Sequence, residues 1–234
     1  MALRAIVTGA SKGIGFETVL AMSKQADSHI LALSRDAKGL SKLAKAAENQ
    51  AGNVTVLPYD LLKPNDAQLH DWVARNGGLD VVLNNAGVLI NKPFSELTLA
   101  DWQESFSVNL FSAVALLQTL LPYLERSEQA HVVNIGSMGG FQGSSKFPGL
   151  SAYSASKAAL ANLTECFAEE CKDKGIAVNC LALGAVQTEM LEAAFPGYQA
   201  PLKKEEMGNF VAWFAQYGGR LFNGKILPVS VSTP

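Results

Sequence analysis

Short apolar, β-branched runs alternate with longer stretches of helical period along almost the whole 234-residue chain. RAIVTG (Arg4–Gly9), HILALS (His29–Ser34), VTVLPY (Val54–Tyr59), LDVVLNN (Leu79–Asn85) and HVVNIGS (His131–Ser137) read as buried strands. IAVNCLAL (Ile176–Leu183) and KILPVSV (Lys225–Val231) bring the set to seven. Between them, apolar positions recur at helical spacing over Ala37–Asn49, Ala100–Glu125 and Ala152–Lys172. Continuously apolar strands separated by helices specify a parallel sheet with both faces covered, because each crossover carries a helix over one face. The pattern therefore predicts an α/β fold, a doubly wound seven-stranded parallel sheet. With no repeat, low-complexity tract or linker in view, a single domain over 1–234 is expected.

Two segments depart from the alternation. MGGFQGSSKFPGLSA (Met138–Ala152) is rich in Gly and Ser and leads into the third helical stretch. TEMLEAAFPGYQAPLKK (Thr188–Lys204) is apolar and aromatic, with two prolines. Both follow the carboxyl ends of strands, where open α/β sheets bind their ligands.

Composition narrows the classes. A net charge of -2, with 17% charged residues, offers no basic excess for nucleic acid. Cys166, Cys171 and Cys180 are odd in number and lack zinc-ligand spacing, which suits a reducing, cytoplasmic setting and no metal. The first strand starts so early that no leader is expected ahead of it. No apolar run is expected to reach the length of about 18 residues that a membrane span needs.

The first strand runs into TGASKGIG (Thr8–Gly15), which opens a helix. Gly9, Gly13 and Gly15, with Ser11, Lys12 and Ile14 between them, let the backbone turn tightly toward a pyrophosphate at the helix N-terminus. The spacing is G-x-x-x-G-x-G, and a purely structural turn is the rival reading. At the end of the second strand an acidic residue would bind the ribose hydroxyls of NAD. Ser34 stands there instead, followed by Arg35, with Lys12 inside the glycine turn. Two cations and no carboxylate favour a 2′-phosphate, and so NADP(H), because a guanidinium grips phosphate through paired hydrogen bonds. Asp60, with Leu61 beside it, either contacts adenine or caps a helix starting near Pro64. NNAG (Asn84–Gly87) ends the fourth strand, where Asn85 ties strand ends together and Ala86 and Gly87 leave space for a ribose.

LSAYSASKAA places Tyr153 and Lys157 one helical turn apart. A phenol of ordinary pKa about 10 is a poor acid–base group near neutrality, and a neighbouring cation lowers that value. Ser137, at the end of the fifth strand, is placed to donate to a substrate carbonyl. Asn109 lies in the apolar stretch SVNLFS, where a satisfied core amide is the plain reading.

Together these residues resemble the short-chain dehydrogenase/reductase family over essentially the whole chain, in particular its compact branch that includes the 3-oxoacyl-carrier-protein reductases. The resemblance rests on Thr8–Gly15, Asn84–Gly87, Asn109, Ser137 and the Tyr153–Lys157 pair. It implies a Rossmann-type fold and hydride transfer between nicotinamide and a carbonyl or alcohol carbon. It further implies that Tyr153 is the acid in reduction, that Lys157 holds the nicotinamide ribose and lowers the Tyr153 pKa, that Ser137 polarises the carbonyl, and that Asn109 supports a water leading from Lys157 to solvent. Gly184, Val186 and Thr188 would contact the cofactor, although Leu183 stands where relatives carry proline. Family members are often tetramers, and the resemblance implies a homodimer or homotetramer for this chain. A small or medium-sized apolar carbonyl compound is the expected substrate, a 3-oxoacyl thioester the named alternative, and a non-catalytic NADP(H) sensor the rival class.

Overall fold

In the computed structural model, residues 2–231 are described; Met1 and residues 232–234, part of the expected span 1–234, lie outside them. The strands are β1 (Leu3–Thr8), β2 (Ser28–Ser34), β3 (Asn53–Pro58), β4 (Val81–Asn84), β5 (His131–Ser137), β6 (Ala177–Leu183), the short β7 (Val186–Gln187) and β8 (Leu202–Lys203), and β9 (Lys225–Val229). Seven of them form one sheet in the order β3-β2-β1-β4-β5-β6-β9, every pairing parallel. The strand order reverses between β1 and β4, which opens a crevice above their carboxyl ends.

The predicted strands all form, with ends shifted by at most two residues. β9 stops at Val229 rather than Val231, and β3 stops at Pro58 rather than Tyr59. Both are edge strands, where a proline's missing N–H breaks no ladder, and Pro228 and Pro58 occupy them. The β7–β8 pair was not foreseen: two residues per strand are too few to show a period.

The helices are α1 (Gly13–Met22), α2 (Ala37–Ala47), α3 (Asp66–Arg75), α4 (Leu99–Phe106), α5 (Ser112–Leu124), α6 (Ser151–Glu170), α7 (Glu189–Ala194) and α8 (Lys204–Tyr217). On one face, Val19, Met22, Leu40, Leu43, Met207, Val211 and Phe214 from α1, α2 and α8 pack on the sheet. On the other, Leu69, Trp72, Leu116, Leu117, Leu120, Leu124 and Ala168 from α3, α5 and α6 do the same. α1 and α8 approach closely because position 208 is glycine; a Cβ there would lie 2.9 Å from the Glu17 carbonyl carbon.

The stretch Leu99–Leu124 corrects one expectation. It is long and apolar enough to cross a membrane by length and composition, with a mean hydropathy of 1.4. Here its Leu116, Leu117, Leu120 and Leu124 face the sheet. The run is also interrupted: Ser107–Phe111, between α4 and α5, forms a π-turn.

Candidate active site

The π-turn is where Asn109 sits, 2% exposed. Its Oδ1 accepts from the Val88 N–H at 2.8 Å, and its Nδ2 donates to the Val88 carbonyl at 3.0 Å and to Ser156 Oγ at 2.9 Å. The side chain thus braces the loop after β4 against α6, and single π-turns recur at functional positions. Both amide hydrogens are taken, so the plain reading of a satisfied core amide describes its contacts well.

Lys157 lies on the next face of α6, 4% exposed, and its Nζ donates to the Ile135 carbonyl of β5 at 2.7 Å. Burial pushes its pKa down to about 8. Gly87 joins the two residues: a Cβ there would lie 3.2 Å from Asn109 Oδ1 and 3.5 Å from Lys157 Nζ. A glycine at that point keeps open the space above both groups.

Tyr153 stands one turn before Lys157 in the first turn of α6, with the Ser137 hydroxyl in hydrogen-bonding contact. Burial pushes its phenol pKa up, and the hydrogen bond from Ser137 opposes that only in part. This corrects the expectation that Lys157 lowers it. The ammonium is turned inward to the Ile135 carbonyl, and burial weakens its hold on its own proton. The phenol is held as the neutral, proton-bearing form. Ser137 Oγ also accepts from the Gly139 N–H at 3.1 Å, so its hydrogen remains available toward the phenol and whatever binds beside it. The loop can lie this close because residue 140 is glycine: a Cβ there would meet the α6 backbone at 2.6 Å from the Ala158 nitrogen.

The glycine turn lies across the crevice from this group. Gly9 and Gly13 have φ of 67° and 59°, and a Cβ on Gly9 would press on the Ala86 backbone at 2.8 Å. Asn85 Nδ2 donates to the Thr8 and Gly9 carbonyls at 2.9 and 3.2 Å, tying β4 to β1 as expected. Ala86 N donates to Thr8 Oγ1 at 3.0 Å. Gly15 is needed for packing, since its Cβ would strike Asn85 Nδ2 and the Gly9 carbonyl. Ile14 packs on the core while its carbonyl accepts from the Thr18 hydroxyl.

At the N-terminus of α1, Lys12 is extended and makes no side-chain cap, so the N–H groups of the first turn face the crevice without one. That donor set, with room for backbone approach on both sides, fits the pyrophosphate and ribose of a nicotinamide dinucleotide.

The outer cofactor positions are mixed. Ser34 Oγ donates to Ser11 Oγ at 2.9 Å, linking β2 to the glycine turn, and Arg35 and Lys12 are exposed with no ion pair described. Asp36 was missed; it caps α2 by accepting from the Gly39 N–H at 3.0 Å. Its signal, an Asx residue three positions before the cap donor, was present in the sequence. Asp60 does not cap α3, which starts at Asp66 behind Asn65; it closes a local turn by accepting from the Leu62 N–H at 3.0 Å, next to Leu61. Gly184 lets the end of β6 pass Ser230, whose Oγ its Cβ would strike, and its N–H donates to the Val229 carbonyl at 2.9 Å. Val186 is buried and pairs with Leu202. Thr188 is drawn into local structure, accepting from the Leu191 N–H at 3.3 Å to start α7.

Beside it a second missed residue, Glu189, points toward the glycine turn. A Cβ on Gly13 would lie 3.6 Å from Glu189 Oε2. Its carboxylate pairs with Lys204 at 3.4 Å, and Lys204 lies 3.8 Å from Glu17. A carboxylate flanked by Lys204 and by Lys12, both of which favour its charged form, therefore stands beside the anion-seeking turn.

Both lysines near the mouth of the crevice are engaged by neighbouring groups. Lys92 is paired with Asp101 at 2.7 Å, and Lys146 donates to the Phe141 carbonyl at 2.6 Å and to Ser144 Oγ at 2.9 Å. Phe94, Phe147, Met190 and Tyr198 are exposed around these loops.

Residues 4–199 match the family described as short chain dehydrogenase. A ketoacyl reductase, HetN, from Nostoc sp. is 33% identical over 190 residues, a match covering 79% of this chain and 64% of that protein. A 3-oxoacyl-[acyl-carrier-protein] reductase, FabG, from Thermotoga maritima is 31% identical over 191 residues, covering 80% of this chain and 75% of the other. A 3-ketoacyl-(acyl-carrier-protein) reductase from Brucella melitensis, solved with NADH, shares the fold at a TM-score of 0.86, 21% identity and coverage of 97% and 96%. Another solved neighbour of the same fold holds NADP. The chain belongs to the short-chain dehydrogenase/reductase family, whose members are NAD(P)(H)-dependent oxidoreductases acting on CH–OH and carbonyl groups.

Proposed function

We propose that this protein is an NADP(H)-dependent carbonyl reductase or alcohol dehydrogenase for a small or medium-sized apolar ketone or secondary alcohol. The observation that carries the reading is the meeting of Asn109 and Lys157 at Gly87, with Tyr153 one helical turn from Lys157 and in contact with Ser137, in a chain whose glycine turn opens an uncapped helix. A bound nicotinamide dinucleotide supplies or accepts the hydride. The chain's own residues handle the proton and the geometry. Tyr153, held protonated by burial, gives its hydroxyl proton to the carbonyl oxygen as negative charge develops there. Ser137 donates a hydrogen bond to the same oxygen and orients it. Lys157, fixed by β5, presents its ammonium to the ribose hydroxyls and returns positive charge toward the phenolate once the proton has left. Asn109 keeps the loop after β4 at the distance that leaves Gly87 clear.

Arg35 and Lys12 support the phosphate-bearing dinucleotide. Both are exposed, Arg35 has no described ion pair, Lys12 has one charged neighbour in Glu189, and Ser34 rather than a carboxylate ends β2. The apolar substrate follows from the mouth, where Lys92 and Lys146 are already engaged and aromatic side chains stand free. A 3-oxoacyl thioester is the second reading, favoured by the names of the HetN and FabG relatives.

The test is binding and turnover together. Nicotinamide fluorescence should give NADPH a lower Kd than NADH, and Arg35→Ala should weaken NADPH alone by about tenfold to a hundredfold, the size of a lost charge-assisted contact. A panel of cyclic ketones, diketones, aromatic aldehydes and 3-oxoacyl thioesters should show NADPH oxidation. Equal affinity for both dinucleotides, untouched by Arg35→Ala, would overturn the cofactor assignment.

A further inference from the structure

Three segments meet near the carboxyl ends of the strands: the loop after β4, the loop ahead of α6, and residues 188–201, the segment between β7 and β8 that carries α7 and is called the lid below. One side chain of the first reaches the other two. Asn91 Nδ2 donates to the carbonyl of Ala194, the last residue of α7, at 2.8 Å and across 103 positions of sequence. The next residue, Lys92, donates its N–H to the Gly149 carbonyl at 3.0 Å. Gly149 has a φ of 85°, and a Cβ on it would overlap Asn91 Oδ1, so a side chain at 149 would displace the asparagine.

The lid's other described hydrogen bonds run within the lid or toward α8. Thr188 caps α7, Gln187 accepts from the Ala200 N–H at 2.8 Å, Glu192 accepts from the Gly197 N–H at 3.1 Å, and Glu189 pairs with Lys204. The lid is thus hinged on the β7–β8 side and held at its free end, on the far wall, by Asn91. Ala194 ends its helix, so its carbonyl has no intrahelical partner. The donor that meets it comes from the loop that also carries Asn109's partner, Val88.

We propose that Asn91 is the clasp that closes the lid over the substrate, a positioning residue that acts through α7 and touches no reacting atom. The inference deepens the carbonyl-reductase reading and rests on it. A single exposed hydrogen bond is weak enough to break each time substrate enters and strong enough to bias the lid toward closure. The closed lid carries Met190 and Tyr198 to the mouth, so the group it covers is the apolar body of the ketone. Cofactor binding is independent of the clasp, because the glycine turn lies at the hinge side of the lid, beside Thr188 and Glu189.

The test uses Asn91→Ala and Asn91→Asp in the full chain. Aspartate keeps the shape but has no donor for the Ala194 carbonyl. Both variants are expected to raise KM for the carbonyl substrate about threefold to tenfold, the factor one lost hydrogen bond gives, with kcat and the NADPH Kd within twofold of the parent. Both should also speed chymotryptic nicking after Tyr198 by a similar factor, Phe195 being protected by Pro196. Unchanged KM and unchanged nicking in both variants would overturn the clasp. An aspartate variant that behaves as the parent would overturn the role of the donor. If no carbonyl is turned over although NADPH binds, the reductase reading falls; nicking then decides the clasp alone, faster cleavage in both variants supporting it and parental rates overturning it.

Discussion

The two ends of the sheet are built to opposite rules. At the amino ends of the strands, every charge that folding buries is answered. Asp80, fully buried, accepts from Arg4 Nε at 2.8 Å, from Arg4 Nη2 at 2.7 Å, from the Arg4 N–H at 2.9 Å and from Ser127 Oγ at 2.6 Å. His131 contacts the Ala215 carbonyl through Nδ1 at 3.0 Å and accepts from Asn179 Nδ2 through Nε2 at 3.0 Å. Its ring tilts against Phe214 at 5.5 Å. At the carboxyl ends, glycines replace side chains, a helix start is left without a side-chain cap, a lysine is buried with a single described acceptor, and a tyrosine is half-buried beside it. Near this end, one turn before Asn109, lies Ser105 Oγ, the one buried side-chain polar atom among the described residues with no hydrogen bond. The lower end holds the sheet together; the upper end is left incomplete for a ligand to complete.

The sharpest way to break this contrast is to remove one charge from each end. Lys157→Met should lower kcat/KM by roughly a hundredfold to ten-thousandfold, the range for a lost acid–base partner, while thermal unfolding shows no loss of stability. A buried ammonium with a single described acceptor is expensive to keep, and methionine fills similar volume without that penalty. Arg4→Met should do the reverse. It strands the Asp80 carboxylate and should cost about 3 kcal/mol by denaturant titration, with turnover per folded molecule intact. An Arg4→Met variant of unchanged stability would dissolve the distinction between the two ends.

Acid should also act on the lower end first. Burial holds His131 down at about 4, against about 6.5 when unfolded. Between those values the unfolded chain binds more protons, so the contribution is complete above pH 6.5 and is lost as pH falls toward 4. The loss amounts to about 3 kcal/mol. His131→Asn should flatten that part of the stability profile, which a pH series of thermal midpoints would read. Asp80 adds to the same trend at lower pH. Burial raises its pKa, the hydrogen bonds from Arg4 and Ser127 outweigh that, and the net shift is downward, so its contribution is present above the unfolded carboxylate value and lost as pH falls below it.

The smallest expected effect lies at the hinge of the lid. Glu189 places a carboxylate beside the turn that would take the pyrophosphate. Glu189→Gln should tighten NADPH binding about threefold to tenfold, the size of one partly screened charge contact, as read by fluorescence titration. Weaker binding would show that Glu189 orders Lys204 for the cofactor instead of opposing the phosphates.

The contrast also separates what the sequence announces from what it hides. The strands, the long helices, the glycine turn and the Tyr153–Lys157 pair are legible because each rests on local periodicity or on residues four or fewer positions apart. Asp36 and Glu189 were passed over, although Asp36 carries an ordinary helix-cap signal. The Arg4–Asp80 pair spans 76 positions and the Asn91–Ala194 contact 103, and no local pattern couples such sites. The direction of the Tyr153 shift was misread for a related reason. Spacing shows that a lysine is near, whereas burial and the pull of the Ile135 carbonyl on that lysine depend on the folded surroundings. The π-turn was hidden as well, since Ser107–Phe111 has nothing in its composition that breaks a helix.

The central claim is that the upper end performs carbonyl reduction with Tyr153 as the proton donor. Its most direct test is single-turnover NADPH oxidation by Tyr153→Phe beside the parent protein, on the best substrate of the carbonyl panel, with NADPH binding measured in the same samples. The account predicts that the variant binds NADPH within a few-fold of the parent and loses about a hundredfold to ten-thousandfold in the rate of oxidation. A variant that oxidises NADPH as fast as the parent would contradict it.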